Sequence, residues 1–268
     1  MTIRVASIQM VIDDDGKKAN LKRASELIDR IDHADLILLP EIWNIGYFSF
    51  GSYKDEAEGL DGPTVSMLRE KAATRKCHIF GGSLVHRLEG NLYNTSVLLD
   101  PAGSILARYS KVHLFGFNSE EATLLTRGSE MCVIKTTIGT FGLSTCYDLR
   151  FPELYRNMAN LGAEMFLVAS AWPLPRVESW LMLNRVRALE NQVFLASSNC
   201  AGMNRGKQYV GRSMIVDPWG NPMAVGGDEE CIVEGKVDLG NLYRAREIFP
   251  AFRDRVLTGL NWTSKTRE

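Results

Sequence analysis

The chain has 268 residues, 45% of them hydrophobic, and a formal net charge of -1. That length suits one large α/β unit, and that apolar fraction supports a sizeable core and excludes a disordered chain. The balanced charge provides no bulk basic field for nucleic acid and no like-charge block for a membrane surface, which leaves small ligands.

The opening "MTIRVASIQM" lacks the apolar run of a signal peptide, and no segment reaches the roughly 18–20 apolar residues of a membrane span. Polar "DDDGKKAN" reads as a loop leading into a helix over 17–31, where Leu21, Ala24, Leu27, Ile28 and Ile31 recur at helical spacing. "DLILLPE" (35–41) is a nearly continuous apolar run, as in a strand covered on both faces. Pro63 opens a second helix over 63–76. Short strands follow in "CHIFGGSL", "YNTSVLLD", "SILARYSK", "CVIKTT" and "GTFGLSTC". A helix starts near Phe151–Pro152, "EMFLVAS" is a strand, and another helix covers 177–192. "VFLASSNC", "SMIVD" and "CIVEGKVD" complete the strands. "VLLDPAGSIL" and "MIVDPWGNPMAV" read as two hairpins of one design, the mark of an internal duplication. The mixture points to sheets covered by helices within a single domain over 1–268.

The five cysteines, Cys77, Cys132, Cys146, Cys200 and Cys231, are scattered and form no C-x-x-C pair. This argues against a disulfide framework or a zinc site and for a soluble, reduced, cytoplasmic protein. Cys146 stands where a strand ends and a helix begins, in "STCYDLRFPE". Free N–H groups of that turn would favour a thiolate or hold an oxyanion, and Gly142 and Ser144 on its strand face would leave space above the sheet. A buried, inert thiol fits the same position. A nucleophilic Cys needs a base. Of four histidines, His33 and His86 lie in polar surroundings that suggest surface loops, and His113 alone sits at a strand end among apolar residues. The other choice is Glu41, which Pro40 delivers to the sheet edge, where partial desolvation would raise its pKa. Lys111 ends an apolar row with Ile105, Ala107 and Tyr109 and needs an acid partner, for which "NSEEATLLTRG" offers Glu120 and Glu121.

These blocks resemble the nitrilase, or carbon–nitrogen hydrolase, superfamily: "LLPEIWNIGY", "YSKVHLF", "STCYDLRFPELYR", "RALENQVF" and "GRSMIVDPWG", in that order. The resemblance runs from "ASIQM" to "REIFPAFRDR". It implies an α-β-β-α sandwich of two mixed sheets covered by helices, four-layered on dimerisation, with no metal and no organic cofactor. It also implies a Glu41–Lys111–Cys146 triad, with the Tyr147 backbone N–H as an oxyanion donor. The second glutamate is Glu121, with Glu120 as the fallback. "CYDLRFPE" is similar to the ω-amidase branch, which hydrolyses the terminal amide of 2-oxo dicarboxylic acid monoamides. Deaminated-glutathione amidase and N-carbamoyl amide hydrolase are the alternatives within the superfamily. A non-catalytic binding domain is the alternative outside it. The partners implied are a small amide substrate and a second copy of the chain, as a homodimer or higher homo-oligomer. The remaining carboxylate of such a substrate needs a cation. Arg176, in "SAWPLPRVESW" with Trp172, is one candidate. Arg150 is the other, unless it pairs structurally with Asp148 or Glu153. Trp43 and Tyr47 would wall the pocket or fill the core.

Overall fold

The apolar runs become strands of two six-stranded sheets in the computed structural model, which describes residues 1–256. Residues 257–268, the end of the expected single domain, lie outside the described residues. The first half carries β1 (Thr2–Gln9), α1 (Lys17–Asp29), β2 (Leu36–Leu38), α2 (Tyr53–Glu56) and α3 (Pro63–Arg75). It continues with β3 (His78–Leu88), β4 (Asn91–Leu99) and β5 (Ile105–Ser110). A single helical turn, α4 (Glu121–Leu124), leads to β6 (Cys132–Thr136), β7 (Gly139–Thr145), α5 (Pro152–Asn160) and β8 (Met165–Ser170). Then come α6 (Val177–Asn191), β9 (Phe194–Asn199) and a small hairpin of β10 (Met203–Asn204) with β11 (Lys207–Gln208). Last are β12 (Met214–Val216), β13 (Pro222–Val225), β14 (Cys231–Asp238) and α7 (Gly240–Ile248).

The sheets run β14-β1-β2-β3-β4-β5 and β6-β7-β8-β9-β12-β13. Each has a parallel trio, β1-β2-β3 or β7-β8-β9, joined through helices and flanked by antiparallel strands. The two Asp-Pro hairpins, β4–β5 and β12–β13, fall at corresponding places, so the two halves share one topology. Alternation along β2 sets the layers: Leu36 and Leu38 pack with Leu167 and Ala196 of the second sheet, while Ile37 and Leu39 pack with Leu27, Ile28 and Leu68 of the covering helices. The result is an α-β-β-α sandwich. No helix among the described residues is long and apolar enough to cross a membrane.

Two expectations change, and one unassigned segment becomes a strand. Only Leu36–Leu38 of the run 35–41 is ladder, because Pro40 has no N–H to contribute. The chain instead crosses a bulge in β3, where Leu39 N donates to Phe80 O (3.0 Å) and Ser83 N to Pro40 O (3.1 Å). The opening segment, unassigned from sequence, is the strand β1 beside β2 and β14. His86 is no loop residue: it is buried in β3, opposite Tyr93.

The bulge depends on Gly82, at φ +65 with its Cβ direction 1.9 Å from the Pro40 carbonyl oxygen. Gly90 has φ +81 and open space around it. Gly90→Ala is expected to cost only the left-handed backbone penalty of about 1–2 kcal/mol, and Gly82→Ala clearly more. Urea denaturation of both variants checks this, and equal losses would refute the close-approach argument.

Candidate active site

The strand ends converge on one buried charge cluster. Lys111, the residue after β5, is 1% exposed, and Glu41 and Glu121 are 0% exposed. The Lys111 Nζ lies 2.7 Å from Glu41 Oε1 and 3.0 Å from both oxygens of Glu121. Asn94 of β4 bridges the two acids, its Nδ2 donating to Glu41 Oε1 at 2.8 Å and to Glu121 Oε1 at 2.9 Å. Backbone groups complete the shells: Ala171 N donates to Glu41 Oε2 (2.9 Å) and Phe115 N to Glu121 Oε2 (2.8 Å). Tyr47 OH adds a bond to Glu121 Oε2 at 3.2 Å. Each buried ion would cost several kcal/mol without such partners. The carboxylate on Lys111 is that of Glu121, whereas Glu120 faces solvent. Burial raises the Glu41 pKa, and the Lys111 ammonium partly opposes that rise. Burial acts to lower Lys111, but the two carboxylates outweigh it and hold the ammonium well above its ordinary pKa.

Cys146 opens a 3₁₀ turn, Cys146–Arg150, at φ +47. A capping box fixes the turn: the Thr145 side chain accepts from Asp148 N, and Asp148 Oδ2 accepts from Thr145 N at 2.9 Å. Asp148 also accepts from Tyr109 OH (2.6 Å) and His113 N (3.2 Å). Arg187 of α6 donates Nε to Leu149 O at 2.9 Å and holds the end of the turn. Tyr147 follows Cys146 in the first residues of this turn, where a backbone N–H has no intrahelical acceptor. Burial and then the Glu41 carboxylate push the Cys146 thiol far up, against the pull of Lys111. Burial thus disfavours the thiolate at this position.

Two readings of this region are corrected. His113 does not serve Cys146: its Nδ1 is 2.7 Å from Asp148 Oδ1 and its ring stacks on Phe151 at 3.7 Å. Gly142 and Ser144 do not open space for a ligand. A Cβ on Gly142 would meet Met158 Sδ at 2.9 Å, and Ser144 Oγ bonds Tyr155 OH at 2.8 Å, so α5 covers that face.

The sulfur lies instead in the floor of a cleft of about 390 Å³. Tyr47, Phe115, Tyr147 and Trp172 form apolar walls. The charged residues of the lining are Arg150, Arg176 and Lys207, and no carboxylate accompanies them. Arg150 pairs with neither Asp148 nor Glu153 among the described residues: its guanidinium lies over the Trp172 ring at 5.2 Å. Asp148 is already taken by Tyr109, Thr145 and His113. Arg176 lies over Phe115 at 5.2 Å. Trp172 donates Nε1 to Arg176 O at 2.9 Å, which ties its indole to the turn carrying that arginine. Trp43 is excluded from the cleft, being fully buried with Nε1 on Gly81 O at 2.9 Å. Asn94, Asp148, Phe115 and Lys207 were not singled out from sequence. A buried Asn inside the apolar strand "YNTSVLLD" was the one available signal, for Asn94.

The carbon–nitrogen hydrolase family model matches residues 4–247. The chain is 36% identical to 2-oxoglutaramate amidase of Paenarthrobacter nicotinovorans, covering 94% of this chain and 88% of that protein. It is 37% identical to 2-oxoglutaramate amidase of Bacillus subtilis, covering 93% and 96% respectively. Its fold is similar to the crystal structure of Saccharomyces cerevisiae Nit3, a member of branch 10 of the nitrilase superfamily. That match has a TM-score of 0.86 and 31% identity over 93% of this chain and 94% of that one.

Lys111→Met leaves buried carboxylates without their cation and is expected to cost about 3–5 kcal/mol at neutral pH. Without Lys111 the Glu41 pKa, already raised by burial, rises further. A folded-state pKa raised this way favours folding below the unfolded value of about 4.3, and that advantage is lost as pH rises through the folded value. The deficit of the variant should therefore grow with pH. Denaturant titrations at several pH values above 4.3 measure it, and a flat deficit would contradict the assignment.

Proposed function

We propose that this chain, which belongs to the carbon–nitrogen hydrolase family and is a hydrolase of carbon–nitrogen amide bonds, is a cofactor-free thiol amidase working through Glu41, Lys111 and Cys146. The observation that carries the reading is the Lys111 ammonium held 2.7 Å from Glu41 behind a thiol at the floor of the cleft. Glu41 takes the Cys146 proton as Sγ bonds to the amide carbon and the carbonyl electron pair moves onto oxygen. A thiol this reluctant to ionise favours proton transfer during attack over a free thiolate, and a carboxylate with a raised pKa is a better matched base than an ordinary one.

In the resting site the Lys111 ammonium gives its N–H groups to Glu41 and to both oxygens of Glu121; on attack one N–H turns from Glu121 to the oxyanion, with the Tyr147 N–H as second donor. Losing one such donor typically costs about 10²–10³-fold in rate. The C–N bond breaks as Glu41 returns its proton to nitrogen, ammonia departs, and a thioester remains. Water then attacks the thioester as Glu41 removes its proton. Collapse of the second tetrahedral intermediate expels the sulfur, which regains the proton. Glu121, with Asn94 and Phe115 N on its oxygens, fixes the ammonium in position.

The cleft supports an amide that also carries a carboxylate, because its three lining charges are all cationic. Together with the relatives named 2-oxoglutaramate amidase, this points to the terminal amide of small 2-oxo dicarboxylic acid monoamides. Ammonia release from 2-oxoglutaramate and succinamate tests it. Cys146→Ala should lower the rate by about 10⁴-fold or more. Retained activity in that variant would sink the mechanism, and a wild type inert towards every short monoamide would sink the substrate class.

We further propose a homodimer. Leu189, Trp219 and Phe249 are exposed among the described residues, and they adjoin through the Trp219–Phe249 ring pair at 6.4 Å and the packing of Gly220 against Leu189. One continuous apolar face of this kind suits pairing of two copies. Light scattering should return twice the chain mass for the wild type and less for Leu189→Glu/Trp219→Glu; an unchanged mass would remove this face from the interface.

A further inference from the structure

The cleft holds three cations, and two of them are spread over aromatic rings. Lys207 is presented differently. It follows the two-residue turn Arg205–Gly206 of the β10–β11 hairpin, whose φ values of 49° and 71° match the tight turn that suits strand twist. Asn204, fully buried, bolts the hairpin to the body. Its Oδ1 accepts from Phe48 N (2.9 Å) and Tyr209 OH (3.2 Å), and its Nδ2 donates to Asp14 Oδ1 (2.9 Å) and Ser49 Oγ (3.1 Å). On the other side Tyr209 pairs with Pro173, and Val210 N donates to Trp172 O at 2.9 Å. Those pairings join the hairpin to the segment that carries Arg176, so Lys207 and Arg176 belong to one wall. Lys207 is exposed and has no ion-pair partner among the described residues, and no carboxylate in the cleft lining neutralises it.

We propose that Lys207 is a specificity-determining residue, its ammonium taking the substrate carboxylate together with Arg176 and selecting anionic over neutral amides. This rests on the reading of the cleft as the site of a carboxylate-bearing amide. A guanidinium set over a ring keeps N–H donors for a ligand, and a lysine on a rigid arm adds a compact charge from a second direction. The hairpin matters because an ammonium on a loose loop would lose entropy on each binding event, whereas the anchored arm has lost most of it on folding.

The experiment compares kcat/KM for succinamate and for butyramide, a neutral amide of similar size, in the wild type, Lys207→Met and Lys207→Arg. The succinamate-to-butyramide ratio should fall about 10- to 100-fold in Lys207→Met, through KM rather than kcat, as expected for loss of a charge-assisted hydrogen bond. Lys207→Arg should retain most of the ratio. A wild-type preference for succinamate that survives Lys207→Met overturns the assignment of Lys207 alone. Equal losses on both amides also overturn it, since they indicate a structural role. A wild type with no preference for succinamate overturns this inference together with the substrate reading beneath it.

Discussion

One buried ammonium organises this molecule. Lys111 sits in a region of low dielectric between two carboxylates, and every group around it is there because ions in that position must be neutralised or solvated by protein. Two acids and one base leave a surplus negative charge. Asn94 Nδ2, two backbone N–H groups and the Tyr47 hydroxyl spread it over fixed dipoles. The neighbouring thiol answers to the same setting: burial first, and then the Glu41 carboxylate, hold the Cys146 pKa far above its ordinary value.

The cluster also explains why the sandwich must be complete before the site exists. Glu41 N donates to Ser170 O, and Ala171 N donates back to Glu41 Oε2, so the C-terminal ends of β2 and β8 are tied across the two sheets. These strands hold equivalent central places in the duplicated topology, and each continues into the cluster as its strand ends. Lys111 comes from the end of β5, Asn94 from β4, and Cys146 from the end of β7. No single supersecondary unit contains the chemistry. Each half contributes groups that would be exposed and mobile without the other.

Charge is treated in opposite ways at the base and at the mouth of the cleft. At the base Lys111 is partnered by Glu41 and Glu121, and in the turn that opens at Cys146 Asp148 is bonded by Thr145, Tyr109 and His113. At the mouth Arg150 and Arg176 lie against aromatic faces, which hold a guanidinium in place without cancelling its charge. For the proposed amidase, rigidity below and uncancelled charge above would give a preorganised site that attracts an anionic substrate.

Local pattern located the helices over 17–31, 63–76 and 177–192 to within a few residues: apolar spacing marks the first, Pro63 opens the second, and each buries one stripe and ends at a left-handed or polar cap. The ordered blocks around Glu41, Lys111 and Cys146 made the family legible, since each block couples a strand end to the turn that follows it. Distant pairing was not legible. Nothing local distinguishes a Trp43 that fills the core from a Tyr47 that reaches the cleft, or shows that Gly142 makes room for Met158 rather than for a ligand. His86 read as a loop residue because polar Arg87, Glu89 and Gly90 follow it directly, although β3 is buried without a break from His78 to His86. Thus the sequence by itself determined the elements, their order and the residue types available for chemistry, all of which depend on local pattern. Only the tertiary structure decided which carboxylate meets Lys111, that His113 belongs to Asp148, and that Lys207 shares a wall with Arg176. Those outcomes depend on contacts between segments far apart in the chain, and burial and charge choose among them only once both sheets are packed.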